Sequence, residues 1–226
     1  MLVALWLGNL KGLQSKVNKP YLILSSDVFF QEEIKKSRFL TFISPAKGKD
    51  AAMAFLAEIK VLHKDARHHC WAYIGGSPKD SVNMGCSDDG EPKGTAGKPM
   101  LAVLQGTQVG EMVAVVVRYS GGIKLGTGGL VRAYSNGLQQ LCSTMPTTEK
   151  RFYQQFQLQC DYAQMATLEH LLSLISGRII HVDYQQSVVA LIEVDSEEIL
   201  LFKEKLQSLM QGQVIAKKID TFSELD

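Results

Sequence analysis

No two of the four cysteines, at positions 70, 86, 142 and 160, form a Cys-x-x-Cys pair in this chain of 226 residues. Hydrophobic residues make up 46%, enough for a sizeable core without covalent staples. A disulfide scaffold is therefore excluded. The expected setting is the reducing cytoplasm, with the thiols buried as small hydrophobes. Long apolar runs are missing too. The most apolar stretch, residues 1–10, is too short to span a bilayer and has no basic segment ahead of it. No membrane association is expected. The chain also lacks an excess of charge of either sign: 24 Lys and Arg stand against 23 Asp and Glu. Extreme-charge partners are not implied by the total. Two nucleotide signatures are absent as well. There is no Gly-Lys-Ser/Thr of a Walker A loop, and no Gly-x-Gly-x-x-Gly falls in register.

What is present is unevenly spread. Residues 1–150 carry 18 basic and 12 acidic residues, whereas residues 151–226 carry 6 and 11. A basic front and an acidic back suggest two units with different surfaces, unless two solvated surfaces differ by chance. The expected division is an extension over residues 1–24, a front domain over 25–146 and a back domain over 147–226.

Residues 38–44 read as a strand, and residues 50–63 as a helix with Ala51, Ala54, Phe55, Ile59 and Leu62 on its apolar stripe. Residues 70–74 are a second strand, and a short helix begins near Pro99. Residues 111–119 form the strongest strand, and their unbroken valines predict burial on both faces. A helix over 129–143 has Leu130, Tyr134, Leu138 and Leu141 inward. In the back half, Phe156, Leu158 and Cys160 alternate with glutamines, as in a half-buried strand. A helix near 165–175, paired strands at 178–184 and 187–194, a helix capped by Asp195 with Glu198 in a capping box, and a strand at 213–219 follow. The order β-α-β-β-α-β is the ferredoxin-like arrangement.

Eleven of the 19 glycines lie between Gly85 and Gly129. Glycine loses the most conformational freedom on folding, so this concentration needs a cause. In residues 118–135 a buried strand runs into a loop with Gly121, Gly122, Gly126, Gly128 and Gly129, and a helix follows. Arg118, Lys124 and Arg132 bracket it. Such a loop turns backbone N–H groups and a helix N-terminus toward one point, which suits phosphate. The other reading is a structural crossover loop. In residues 87–100, Asp88, Asp89 and Glu91 offer hard oxygen ligands for a divalent cation. The other reading is a tight polar loop whose carboxylates accept backbone N–H groups or pair with Lys93 and Lys98.

The stretches Ser-Asp-Asp-Gly-Glu-Pro-x-Gly-Thr-Ala-Gly-x-Pro-Met and Val-Arg-Tyr-x-Gly-Gly-Ile-Lys-Leu-Gly-x-Gly-Gly-Leu-Val-Arg-Ala-Tyr closely resemble the signature of the IMPACT/YigZ family. Residues 32–39 and 66–73 resemble further family segments, and the likeness spans about residues 28–220. One departure is Ser120, where the family more often has Phe. The resemblance implies an α+β protein of two domains. The front one would be similar to a ribosomal-protein domain and to elongation factor G, and the back one would be ferredoxin-like. It also implies a link to translation. RNA or the ribosome, DNA, and a translation-related protein are the expected partners. The family supplies no catalytic residues to carry over.

An enzyme would have to draw on His68, His69 or Cys70 with Asp88 and Asp89. Neighbours on a strand point to opposite faces, so His69 and Cys70 cannot share one ion without a bend. Cys70 and Cys86 lack an assured base. The expectation is a binding protein with no catalytic residues, metal or cofactor, and its alternative is a protein-interaction adaptor in translational regulation. Nucleic-acid contact is expected on the front domain, because the acidic back one is ill suited to grip phosphate by itself.

Overall fold

The structure, a computed structural model, describes residues 19–225. Two compact units divide the chain, Tyr21–Glu149 and the segment from Lys150 onward. The front unit thus begins earlier than expected. Residues 21–24, read from sequence as part of an extension, form a strand with Leu24 buried. The rest of that extension, to residue 18, lies outside the described residues.

In chain order the front unit comprises β1 (Tyr21–Leu24), β2 (Val28–Ile34), β3 (Ser37–Pro45), α1 (Gly48–Leu62), β4 (His68–Ile74), β5 (Met84–Ser87), α2 (Gly97–Gly106), β6 (Val109–Gly110), β7 (Met112–Tyr119) and α3 (Thr127–Cys142). Five strands form an antiparallel sheet in the order β2-β3-β7-β4-β5. Strands β1 and β6 make a short parallel pair outside this five-stranded sheet.

The predicted double burial of the valine strand holds. Val113, Val115 and Val117 pack under α1, while Met112, Ala114 and Val116 join the core beneath α2 and α3. Fully burying each of these valines and Met112 is worth about 1.5–3 kcal/mol, which makes β7 the centre of the unit. The inner face expected for α3, through Leu130, Tyr134, Leu138 and Leu141, is the buried one. Helix α1 is turned by one position. Ala52, Leu56 and Ile59 face the sheet, and Leu62 is exposed. The unbroken apolar run Ala51-Ala52-Met53-Ala54 satisfies an apolar pattern on more than one face, so periodicity alone does not choose between them.

Strands β2 and β3 are joined by only Lys35 and Lys36, with φ of 49° and 61°. Two left-handed residues in a row are the mark of a type I′ hairpin turn, which Asn-Gly ordinarily supplies. A lysine held there costs roughly 1–2 kcal/mol. The Gly-rich loop helps to hold this turn. A Cβ added at Gly121 would stand 1.9 Å from the Lys36 carbonyl oxygen.

The back unit comprises β8 (Thr147–Cys160) from Lys150 onward, α4 (Met165–Ser173), β9 (Gly177–Tyr184), β10 (Val188–Asp195), α5 (Ile199–Leu209) and β11 (Ala216–Leu225). Its antiparallel order, β11-β8-β10-β9, is the ferredoxin-like one. Phe156, Leu158, Val188, Ala190, Ile192 and Val194 meet the helices on one face. The alternation of glutamines in β8 therefore predicted correctly which residues face outward. The expected capping box at Asp195 is not formed. Helix α5 starts at Ile199, the Asp195 carboxylate accepts from Glu197 N–H, and the Glu198 carboxylate accepts from Ser176 N–H. No helix among the described residues is long and apolar enough to cross a membrane.

Candidate functional site

The acidic signature loop follows β5, and its carboxylates part at once. Asp88 turns back onto its own loop. One oxygen accepts from Gly94 N–H at 2.7 Å, the other from Ala96 and Gly97 N–H at 3.0 and 2.8 Å. The Ala96 and Gly97 amides open α2, so the carboxylate fixes where that helix begins. Burial pushes the Asp88 carboxyl up, but the three N–H groups and Lys98 outweigh it and hold it below its ordinary value. A folded-state value below the unfolded one stabilises the protein above the usual carboxylate range. That stabilisation is lost as pH falls through the lowered value. Asp88→Asn is expected to cost about 1–3 kcal/mol and to flatten the acid end of the stability profile, read by urea unfolding between neutral and acidic pH.

Asp89, at φ 40°, points the opposite way. Its carboxylate accepts from His69 N–H at 2.7 Å and lies 3.3 Å from Lys60 Nζ on α1. Glu91 goes inward. Its Oε1 accepts from Arg118 Nη1 at 2.7 Å and from Tyr134 OH at 2.8 Å, with His68 Nε2 at 4.0 Å. Both Glu91 and Arg118 are buried. Arg118 Nη2 reaches Ser37 Oγ at 3.4 Å, and that oxygen accepts from Gly121 N–H. The three acids thus have protein partners, and no group of three or more metal-ligating side chains occurs among the described residues. Lys93 is exposed at the edge of the loop.

Cys70 lies on the other side of β4 from His69, as strand alternation required. Its thiol donates to the Asp88 carbonyl at 2.9 Å. Burial pushes it up to about 12, so it stays a thiol near neutral pH. Tyr134, read from sequence only as core, is also raised, chiefly by burial, and remains a phenol that donates to Glu91.

The basic and glycine residues divide as well. Arg118 belongs to the buried network and is not at the loop surface. Gly122, Lys124, Gly126 and Gly128 are exposed, Gly121 and Gly129 half-buried. Gly122 and Gly126 are left-handed, with φ of 80° and 75°. Gly126 precedes α3, whose first turn has no side-chain cap. The N–H groups of Thr127, Gly128 and Gly129 therefore face outward with the positive end of the helix dipole. A groove of about 700 Å³ runs beside this turn, lined by Lys35, Leu125, Gly129, Arg132 and Asn136 among others. Lys35 had no role in the sequence reading. Its place follows from the tight β2–β3 turn, which carries no Gly or Asn to signal it.

The sequence profile described as the Impact N-terminal domain matches residues 35–142, and one described as a domain of unknown function (DUF1949) matches residues 158–213. A curated protein of Haemophilus influenzae named "IMPACT family member" is 46% identical over 200 residues, covering 88% of this chain and 97% of its own. "IMPACT family member YigZ" of Escherichia coli is 47% identical over 194 residues, covering 86% and 95%. "IMPACT family member YvyE" of Bacillus subtilis is 34% identical over 180 residues, covering 80% and 82%. A crystal structure described as that of a hypothetical protein shares 45% identity at a TM-score of 0.63, covering 90% of this chain and 98% of its own.

Proposed function

The chain belongs to the IMPACT family, and from that premise we propose that its front unit binds the phosphate backbone of RNA, as a translation-associated protein would. One observation carries the reading. Lys35 and Arg132 line the same groove as the uncapped first turn of α3. Lys124 is exposed on the loop leading into it, and Lys36 is exposed on the turn beside that loop. Outward N–H groups and a helix dipole ringed by cations suit phosphate oxygens, and they read no base.

The glycines keep side chains off this surface, and the buried Glu91–Arg118–Tyr134 network holds the loop from behind. The network is a support and does not touch the ligand. The same groups offer no activated nucleophile, since Cys70 and Tyr134 are held protonated by burial.

Anisotropy titration of a labelled twelve-nucleotide RNA over a salt series tests the assignment. Lys124→Ala with Arg132→Ala is expected to weaken binding tenfold or more at low salt. It should also lower the log–log salt slope by roughly 1–2. Undiminished affinity in the double variant would overturn the site.

A further inference from the structure

Behind the Gly-rich loop, on the α1 face of the sheet, aromatic rings continue one another across three elements. Phe29 of β2 lies 4.9 Å from Phe42 of β3, and Phe42 lies 5.5 Å from the imidazole of His63. His63 then meets Tyr119 of β7 at 6.1 Å, and its Nδ1 stands 3.0 Å from the Tyr119 hydroxyl. Arg38 covers the far end, its guanidinium carbon 4.6 Å from the centre of the Tyr119 ring. Helix α1 shields only part of this face. Phe29 is 52% exposed, and Arg38 is exposed as well.

The strip, with Phe29 exposed and Phe42, His63 and Tyr119 half-buried, leaves ring surface open to a flat ligand, and the surroundings say which kind. Tyr119 also walls a cleft of about 370 Å³ with Asp65, Arg67, Ser120 and Gly122. Gly122 belongs to the Gly-rich loop, so the cleft opens directly from the surface assigned to phosphate. An apolar partner protein would gain little from a shelf ending in two guanidinium groups. A nucleobase gains from both parts: rings and a flat guanidinium stack on its faces, while the flanking cations take its phosphate.

We infer that this shelf holds the bases of a single-stranded nucleic acid whose backbone crosses the Gly-rich loop. The inference rests on the backbone reading above and adds to it. The loop and the lysine turn hold phosphates at the end of the sheet. The bases then fall onto the Phe29–Tyr119 face, with one entering the cleft beside Tyr119. Stacking of this kind ignores sequence, because every base has a π-face. Duplex RNA, its bases already stacked inside, gains nothing from the shelf.

The test compares two labelled strands on the full-length protein: a ten-nucleotide single-stranded RNA and an abasic strand with the same number of phosphates. The base-bearing strand is expected to bind at least about tenfold tighter. Phe29→Ser with Arg38→Lys removes one exposed ring and one flat stacking group while keeping the charge. This variant should cut the base-dependent gain about fivefold or more and leave abasic binding within about twofold. Equal affinity for the two strands overturns the shelf and leaves the backbone reading standing. A base preference untouched in the variant overturns it too. Binding of neither strand at low salt overturns both readings.

Discussion

Replacing Arg118 with Met should destabilise the front unit by about 3–5 kcal/mol, the usual consequence of stranding one member of a buried ion pair. Glu91 would keep the Tyr134 hydroxyl, and its nearest cationic candidate would be His68 Nε2 at 4.0 Å. Neither replaces a guanidinium 2.7 Å away in a site whose carboxylate side chain is 4% exposed. The pair itself is not optimal. Arg118 Nε has no hydrogen-bond partner among the described residues, so part of its desolvation goes uncompensated. Removing both charges, as Arg118→Met with Glu91→Gln, is therefore expected to recover at least half of the loss. Urea unfolding of the two single variants and the double one gives the coupling directly. A loss under 1 kcal/mol in Arg118→Met would show that the network does not hold the loop.

The second large effect is expected at Gly121. Its added Cβ would lie 1.9 and 2.0 Å from the carbonyl oxygen and carbon of Lys36, which are backbone atoms. That backbone has little freedom to retreat, since Lys35 and Lys36 are the whole of a two-residue turn fixed by the Ile34–Ser37 pair. Gly121→Ala should cost at least about 3 kcal/mol, at or beyond the top of the ordinary overpacking range. The melting temperature of the front unit should then fall by on the order of 10 °C. Gly122→Ala is the contrast. Nothing lies within 4 Å of its Cβ, and only its φ of 80° resists a side chain. There the cost should be about 1–2 kcal/mol. Calorimetry that ranks the two alanines equally would show that the turn yields, and that the loop does not clasp it.

Much of this architecture is legible in the residues, and the failures have particular causes. The valines of β7 announced a strand buried on both faces because no charged residue interrupts them. The back unit was readable because Phe156, Leu158 and Cys160 alternate with glutamines and each helix keeps a regular stripe. Strand β2 escaped notice because its turn is Lys-Lys, which carries none of the usual hairpin chemistry. Strand β1 is four residues long, shorter than any reliable period. At the site, the phosphate and cation readings both assumed that charged side chains in glycine-rich loops face outward. Alternation along β7 puts Arg118 on the same side as the buried Met112, Ala114 and Val116. That much was available from the sequence. Its partner was not, because Glu91 lies 27 positions away and no local pattern links the two.

The place of β7 between β3 and β4 also governs when the front unit can form. Both neighbours are made long before it, since Arg38 pairs with Tyr119 across some eighty residues of chain and His69 with Val117 across nearly fifty. As the chain emerges from the ribosome, β3 and β4 have their inner edges bare until β7 appears. Closing loops of this length precedes any gain from the pairing, so the sheet gathers slowly and late. During synthesis, then, a chaperone that shields strand edges would find its substrate in the first hundred or so residues, and would lose it once Tyr119 is in place.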